Sequence, residues 1–122
     1  MSEYKSKEDY LERILMLSEK KGNVRAIDIA NDMNFSKPSV SIALKKLKAS
    51  DLITVNDYGH ISLTKKGFDI ANEIYEKHKI LSSIFIMMGV SEKTALEDAC
   101  KIEHDISDET FLKIKQFVEK ER

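Results

Sequence analysis

A chain of 122 residues, 42% apolar and 34% charged, can bury a compact core and is not a disordered segment. Its net charge of −1 supplies no general attraction to nucleic acid, and no apolar run approaches the ~18 residues needed to span a bilayer. One cysteine excludes an internal disulfide, and without a secretory h-region the expected compartment is a reducing cytoplasm.

Residues 6–20 are predicted to form the first helix, because Tyr10, Leu11, Ile14, Leu15 and Leu17 recur at three- and four-residue spacing. Gly22-Asn23 breaks it. A short second helix is expected over 25–33, with Ile27, Ile29, Ala30 and Met33 on its buried side, and Asn34-Phe35 makes the turn. Ser36 is suited to cap a third helix over 37–50, and Pro38 near its start needs no helical N–H donor. Val40, Leu44 and Leu47 give that helix its core stripe. After Asp51 the pattern becomes two short β-like runs, Leu52–Val55 and His60–Leu63, joined by the turn-forming Asn56-Asp-Tyr-Gly59. Thr64 then opens a long helix ending near Met88 at Gly89. Ser91 caps a fifth helix expected to reach Asp105, and Ser107 caps a sixth with Phe111, Ile114 and Val118 as its stripe. Helix, turn, helix and hairpin in that order is a winged helix. The fold class expected is mainly α, with a winged helix-turn-helix in residues 1–66 and a helical domain in 67–122.

The charge is unevenly distributed. Residues 33–66 carry six lysines against Asp51 and Asp57, a net +4, whereas 67–122 carry eight basic and twelve acidic groups, a net −4. A basic centre beside an acidic C-terminal half suits DNA on one side and cations on the other. The second helix of a helix-turn-helix presents its N-terminal residues to base edges. That assigns DNA contact to Ser36, Lys37, Pro38, Ser39, Ser41 and Lys45, whose small hydroxyls allow close approach and whose lysines meet phosphates. The hairpin tip adds Tyr58 and His60.

The tetrad Cys100-x-x-Glu103-His104 carries the other chemistry. On a helix, Cys100 and Glu103 lie about 60° apart and Cys100 and His104 about 40° apart, so a thiol, a carboxylate and an imidazole share one face. Asp9 and Glu12 repeat the i, i+3 relation near the start of the chain, and His78 adds a second imidazole. Imidazole and carboxylate suit Mn, Fe, Co, Ni or Zn, and a thiolate tilts the set toward softer ions. There is no CxxC pair or HExxH motif, which argues against a zinc knuckle or a zincin.

With those residues in place the chain resembles the diphtheria-toxin-repressor family, in a short form similar to the manganese-transport regulators. The likeness runs through Glu8-Asp-Tyr-Leu-Glu12, Ser36-Lys-Pro-Ser-Val-Ser41, Leu63-Thr-Lys-Lys-Gly67, Lys77-His78 and Asp98-Ala-Cys-Lys-Ile-Glu-His104. The resemblance implies a homodimeric repressor of metal-homeostasis genes, activated by Mn(II) or Fe(II). It matches Asp9, Glu12, His78, Glu103 and His104 to ligands of the manganese branch. Cys100 stands where that branch has Glu and the iron branch has Cys. Ser82 and Leu96 depart from the iron branch's ancillary site. The SH3-like domain of longer members is absent from this sequence. Cys100 is left as either a ligand or a core thiol.

Two other classes compete with this reading. One is a metal-independent winged-helix regulator sensing a small molecule or redox state. The other is an enzyme with Cys100 activated by His104, but no oxyanion-hole signature accompanies the pair, and no catalytic residues are expected. The dimer contact is expected from Ile84, Phe85, Met87, Met88, Leu96 and Ile102.

Overall fold

The structure, a computed structural model, describes residues 3–121; Met1, Ser2 and Arg122, at the outer ends of the two expected domains, lie outside the described residues. Its elements in order are α1 (Glu3–Lys21), α2 (Ala26–Met33), α3 (Lys37–Ala49), β1 (Ile53–Val55), β2 (Ile61–Leu63), α4 (Lys65–Met87), α5 (Glu92–Ile102) and α6 (Asp108–Glu121). They fall into two compact units, Met1–Asn72 and Glu73–Arg122, with the boundary inside α4.

In the first unit, Leu11, Ile14, Val24, Ile29, Val40, Leu52 and Ile53 are among the most deeply buried apolar side chains. The turn between α2 and α3 closes on Asn34, in the left-handed region at φ 58°, a conformation whose steric penalty Asn tolerates better than most residues. Ser36 then caps α3, its hydroxyl accepting from the Ser39 amide at 3.3 Å. Ile27 corrects the expectation: it is 40% exposed. It lies two positions before the buried Ile29, about 200° around the helix, so α2 cannot bury both.

β1 and β2 form an antiparallel hairpin with Ile53 opposite Leu63, Thr54 opposite Ser62 and Val55 opposite Ile61. The Asn56 carboxamide oxygen holds the turn by accepting from the amides of Tyr58 and His60, each at 2.9 Å. Gly59 supplies the positive φ of 80° that the turn needs. Beside the turn, the Ile61 amide donates to the Val24 carbonyl at 2.7 Å, tying the hairpin to the segment before α2.

The root of the hairpin is clasped to the start of α4. The Thr64 hydroxyl donates to the Asp51 carbonyl at 2.8 Å and accepts from the Gly67 amide at 3.1 Å, while the Thr64 amide donates to the Leu52 carbonyl. Gly67 packs directly on that carbonyl: a Cβ at this position would lie 2.0 Å from the Leu52 oxygen.

The second unit consists of the remainder of α4, α5 and α6. Ser91 and Ser107 cap α5 and α6, accepting from the amides of Thr94 and Thr110. Lys77, at the buried face of α4, faces Asp108 at 3.8 Å and lies over the Phe111 ring, and Lys115 bridges to Glu76 at 2.9 Å. The cores of α5 and α6 are Ala95, Ala99 and Val118. The expected fifth helix is shortened: it stops at Ile102, with Glu103 as its C-cap and residues 103–105 in a turn. A helix continuing to Asp105 would leave no length for the chain to extend into the Ser107 cap.

No helix among the described residues is long and apolar enough to cross a membrane.

Candidate metal centre and nucleic-acid interface

The early end of α5 changes the geometry expected for its three ligands. Only Cys100 lies within the helix; Glu103 caps it and His104 sits in the following turn. Glu103 is wholly buried. Its Oε2 lies 2.9 Å from Nδ1 of His78, reaching across from α4, and its Oε1 lies 3.6 Å from Nε2 of His104. The His104 side chain is 2% exposed and that of His78 13%. A wholly buried carboxylate between two imidazoles is an unusual thing for a small helical unit to build, since burial disfavours the charged form unless partners offset it.

The two contacts differ in kind. The His78 contact is a short hydrogen bond, which fixes both the ring and the carboxylate. Glu103 Oε1 makes no hydrogen bond among the described residues, and at 3.6 Å the His104 nitrogen is outside bonding range. Carboxylate oxygen and imidazole nitrogen that converge without bonding each other are the donor types a divalent transition ion takes. The ligand atoms of Glu103 and His104 lie within 4.8 Å of one another. In the first unit the same holds for Asp9 and Glu12, one turn apart on α1, with Glu12 buried and Asp9 half-buried. The converging sets do not take in Cys100, which is half-buried. Ser82 spends its hydroxyl on the His78 carbonyl at 2.7 Å.

The expected DNA-reading residues present a different surface. Ser36, Lys37, Pro38, Ser39, Ser41 and Lys45 are all exposed, while Val40, Leu44 and Leu47 hold the opposite side of α3 in the core. Tyr58 stands 74% exposed at the hairpin tip, and His60 is half-buried beside it, with 6.1 Å between ring centroids. A cavity of about 630 Å³ runs between α1 and α3, lined in part by Lys7, Tyr10, Ser39 and Lys46. Burial pushes the Tyr10 hydroxyl up from its ordinary value.

Three residues with a stake in this surface were given no role of their own by the sequence. Arg25, just before α2, lies 3.5 Å from His60. Asp28 accepts from Lys21 and from the Arg25 amide, and those bonds hold its carboxyl below the ordinary range. Gly67 sets the hairpin root. For Arg25 the only available signal was a lone arginine between a broken helix and a short one.

Two family descriptions cover nearly the whole chain. Residues 4–61 match the iron dependent repressor N-terminal DNA binding domain, and residues 64–121 match the iron dependent repressor metal binding and dimerisation domain. An uncharacterised HTH-type transcriptional regulator of Methanocaldococcus jannaschii is 38% identical over 115 residues, 93% of this chain and 92% of that protein. The transcriptional regulator MntR of Escherichia coli O157:H7 is 34% identical over 113 residues, 93% of this chain and 73% of its own length. Among solved structures, the manganese regulator SloR superimposes with a TM-score of 0.80 at 32% identity, over 93% of this chain and 53% of that one.

Proposed function

This chain belongs to the iron-dependent repressor family and is a metal-activated, DNA-binding transcriptional repressor that works as a homodimer, and from that premise we propose which residues hold the ion and which meet the operator. The ligands are Asp9 and Glu12 from α1 with His78, Glu103 and His104 from the second unit. Cys100, the one soft donor nearby, stands outside the converging sets, as either a further ligand or a core thiol. Glu103 carries this reading: a wholly buried carboxylate fixed by His78, with one oxygen turned toward a second imidazole and hydrogen-bonded to neither. Oxygen and nitrogen donors in that proportion suit Mn(II) or Fe(II).

When bound, a divalent ion supplies the positive charge that offsets repulsion among the carboxylates. The protein's own residues do the rest. His78 holds Glu103 in one rotamer, and burial keeps water from competing for the same oxygens. Asp9 and Glu12 lie on the helix that leads into the DNA-reading domain, residues 1–66, whereas the other ligands belong to residues 67–122. An ion that requires both sets favours whichever arrangement brings them together. A tenfold preference for the DNA-competent form shifts the equilibrium by about 1.4 kcal/mol.

On the DNA side, Ser36, Lys37, Pro38, Ser39, Ser41 and Lys45 meet the major groove, and Tyr58 and His60 meet the backbone from the wing. The dimer contact uses five of the apolar side chains left open on the second unit, Ile86, Met87, Met88, Leu96 and Ile102, each at least 38% exposed. Ile84 and Phe85 are half-buried and support them from α4. The operators control metal-homeostasis genes, and the protein acts in the cytoplasm.

The test is anaerobic titration of chelator-stripped protein with Mn(II), Fe(II), Co(II) and Zn(II), following binding to the gene's own promoter by fluorescence anisotropy. Binding that requires Mn(II) or Fe(II) is expected. Equal binding with and without chelator would overturn the metal-gated reading.

A further inference from the structure

The turn end of the wing meets the segment before α2 in a pair of side chains, one of which, Arg25, this function has not yet used. Arg25 is exposed, and its Nη2 lies 3.5 Å from Nε2 of His60. A guanidinium on a protein surface ordinarily pairs with a carboxylate. The nearest acid on its own segment, Asp28, is committed elsewhere: its Oδ1 accepts from Lys21 Nζ at 2.6 Å, and its Oδ2 accepts from the backbone amide of Arg25 at 2.9 Å. The guanidinium turns instead to an imidazole, which accepts from it only when neutral, with its proton on Nδ1.

The backbone beneath both residues is fixed. Val24 and Ile61, their chain neighbours, are joined by the 2.7 Å bridge, and the His60 amide is held by Asn56 at 2.9 Å. Tyr58, with its ring near the imidazole, extends into solvent. Two donor-bearing heads thus stand on a rigid base at the junction of the first helix-turn-helix helix and the wing. In a helix-turn-helix that first helix crosses the sugar-phosphate backbone.

We propose that Arg25 is a DNA contact, and that Arg25 and His60 together grip one operator phosphate, joining the N-terminus of α2 and the wing to the same point on the backbone. Arg25 supplies the cation, so one phosphate is neutralised per subunit, and the His60 imidazole stands beside it. The inference rests on the reading of the chain as a DNA-binding dimer.

The measurement is the salt dependence of Mn(II)-saturated binding to a fluorescein-labelled promoter duplex and to a scrambled duplex, for wild type, Arg25→Gln and Arg25→Lys. Removing one phosphate contact lowers the slope of log affinity against log salt by about 0.9. A dimer carries two copies, so Arg25→Gln is expected to lower it by about 1.8 and to weaken both duplexes alike. Arg25→Lys keeps the charge and is expected to restore the slope. A wild-type slope in Arg25→Gln, or a slope in Arg25→Lys as low as in Gln, overturns the phosphate grip while leaving the metal-gated repressor standing. Wild-type protein that binds neither duplex overturns both.

Discussion

The exposed face of α3 and the cluster around Glu103 are built on opposite plans. On α3, Ser36, Lys37, Ser39, Ser41 and Lys45 present their polar heads to water, Ser36 and Ser39 being tied to each other by the cap bond and a 2.9 Å hydroxyl bond. Around Glu103 the heads are sealed: the carboxylate is wholly buried and His104 nearly so, with His78 bonded at 2.9 Å. DNA brings its own charge and geometry, so lysines that meet phosphates work best solvated until contact. A small ion brings almost no shape, so its donors must be gathered and dried in advance. On the proposed assignment, the sealed cluster decides when the molecule acts and the open face decides where.

Several changes test that contrast, and the largest effect belongs on the buried side. Glu103→Gln keeps the shape of the side chain and removes its charge. It is expected to lower Mn(II) affinity by at least about 100-fold, with far-UV circular dichroism unchanged, as read by isothermal titration. Gly67→Ala drives a methyl into the Leu52 carbonyl, and is expected to destabilise the protein by about 3 kcal/mol. Urea denaturation of apoprotein would measure this. On the open side, Lys45→Ala is expected to leave metal affinity untouched and to lower the salt slope of DNA binding by about 0.9 per subunit. Equal loss of metal affinity in that variant would erase the contrast.

The smallest effect concerns Asp28, whose carboxyl is held below its ordinary range by Lys21, by the Arg25 amide and by the charges of both. Because its folded value is depressed, its contribution is fully present above the unfolded carboxyl value and is lost as pH falls through the folded one. Asp28→Asn is therefore expected to be less stable than wild type at pH 7 by about 0.5 kcal/mol at most, since the pair is partly exposed. The gap should close below about pH 4. A constant gap from pH 7 to pH 3 would contradict the assignment.

Local rules made much of this fold legible. Ser36, Ser91 and Ser107 cap the helices the sequence marks, and Asn56 with Gly59 makes the expected turn, because each acts on amides within four residues of itself. The end of α5 was harder to place. Glu103 and His104 have ordinary helical propensity, yet residues 103–106 form the turn and bend that lead to the Ser107 cap. Ile27 failed for a related reason, since its apolar character says nothing about which of two positions 200° apart faces inward. The bond between His78 and Glu103 spans 25 residues, and the contact between Arg25 and His60 spans 35. Neither has a periodicity to announce it. The identities of the ligand candidates were visible in the sequence; the central place of Glu103 among them was not.

The clasp at Gly67 has a consequence for how the wing meets DNA. Thr64 and Gly67 fasten the hairpin root to the first turn of α4, and Val24 fastens its far strand. Little of the hairpin's backbone is left to be ordered when the duplex arrives. Whatever contacts Tyr58 and His60 make are then not diminished by the entropy of organising a floppy ribbon. A residue with no side chain, at the root of the hairpin, thereby preorganises the proposed contact at the opposite end.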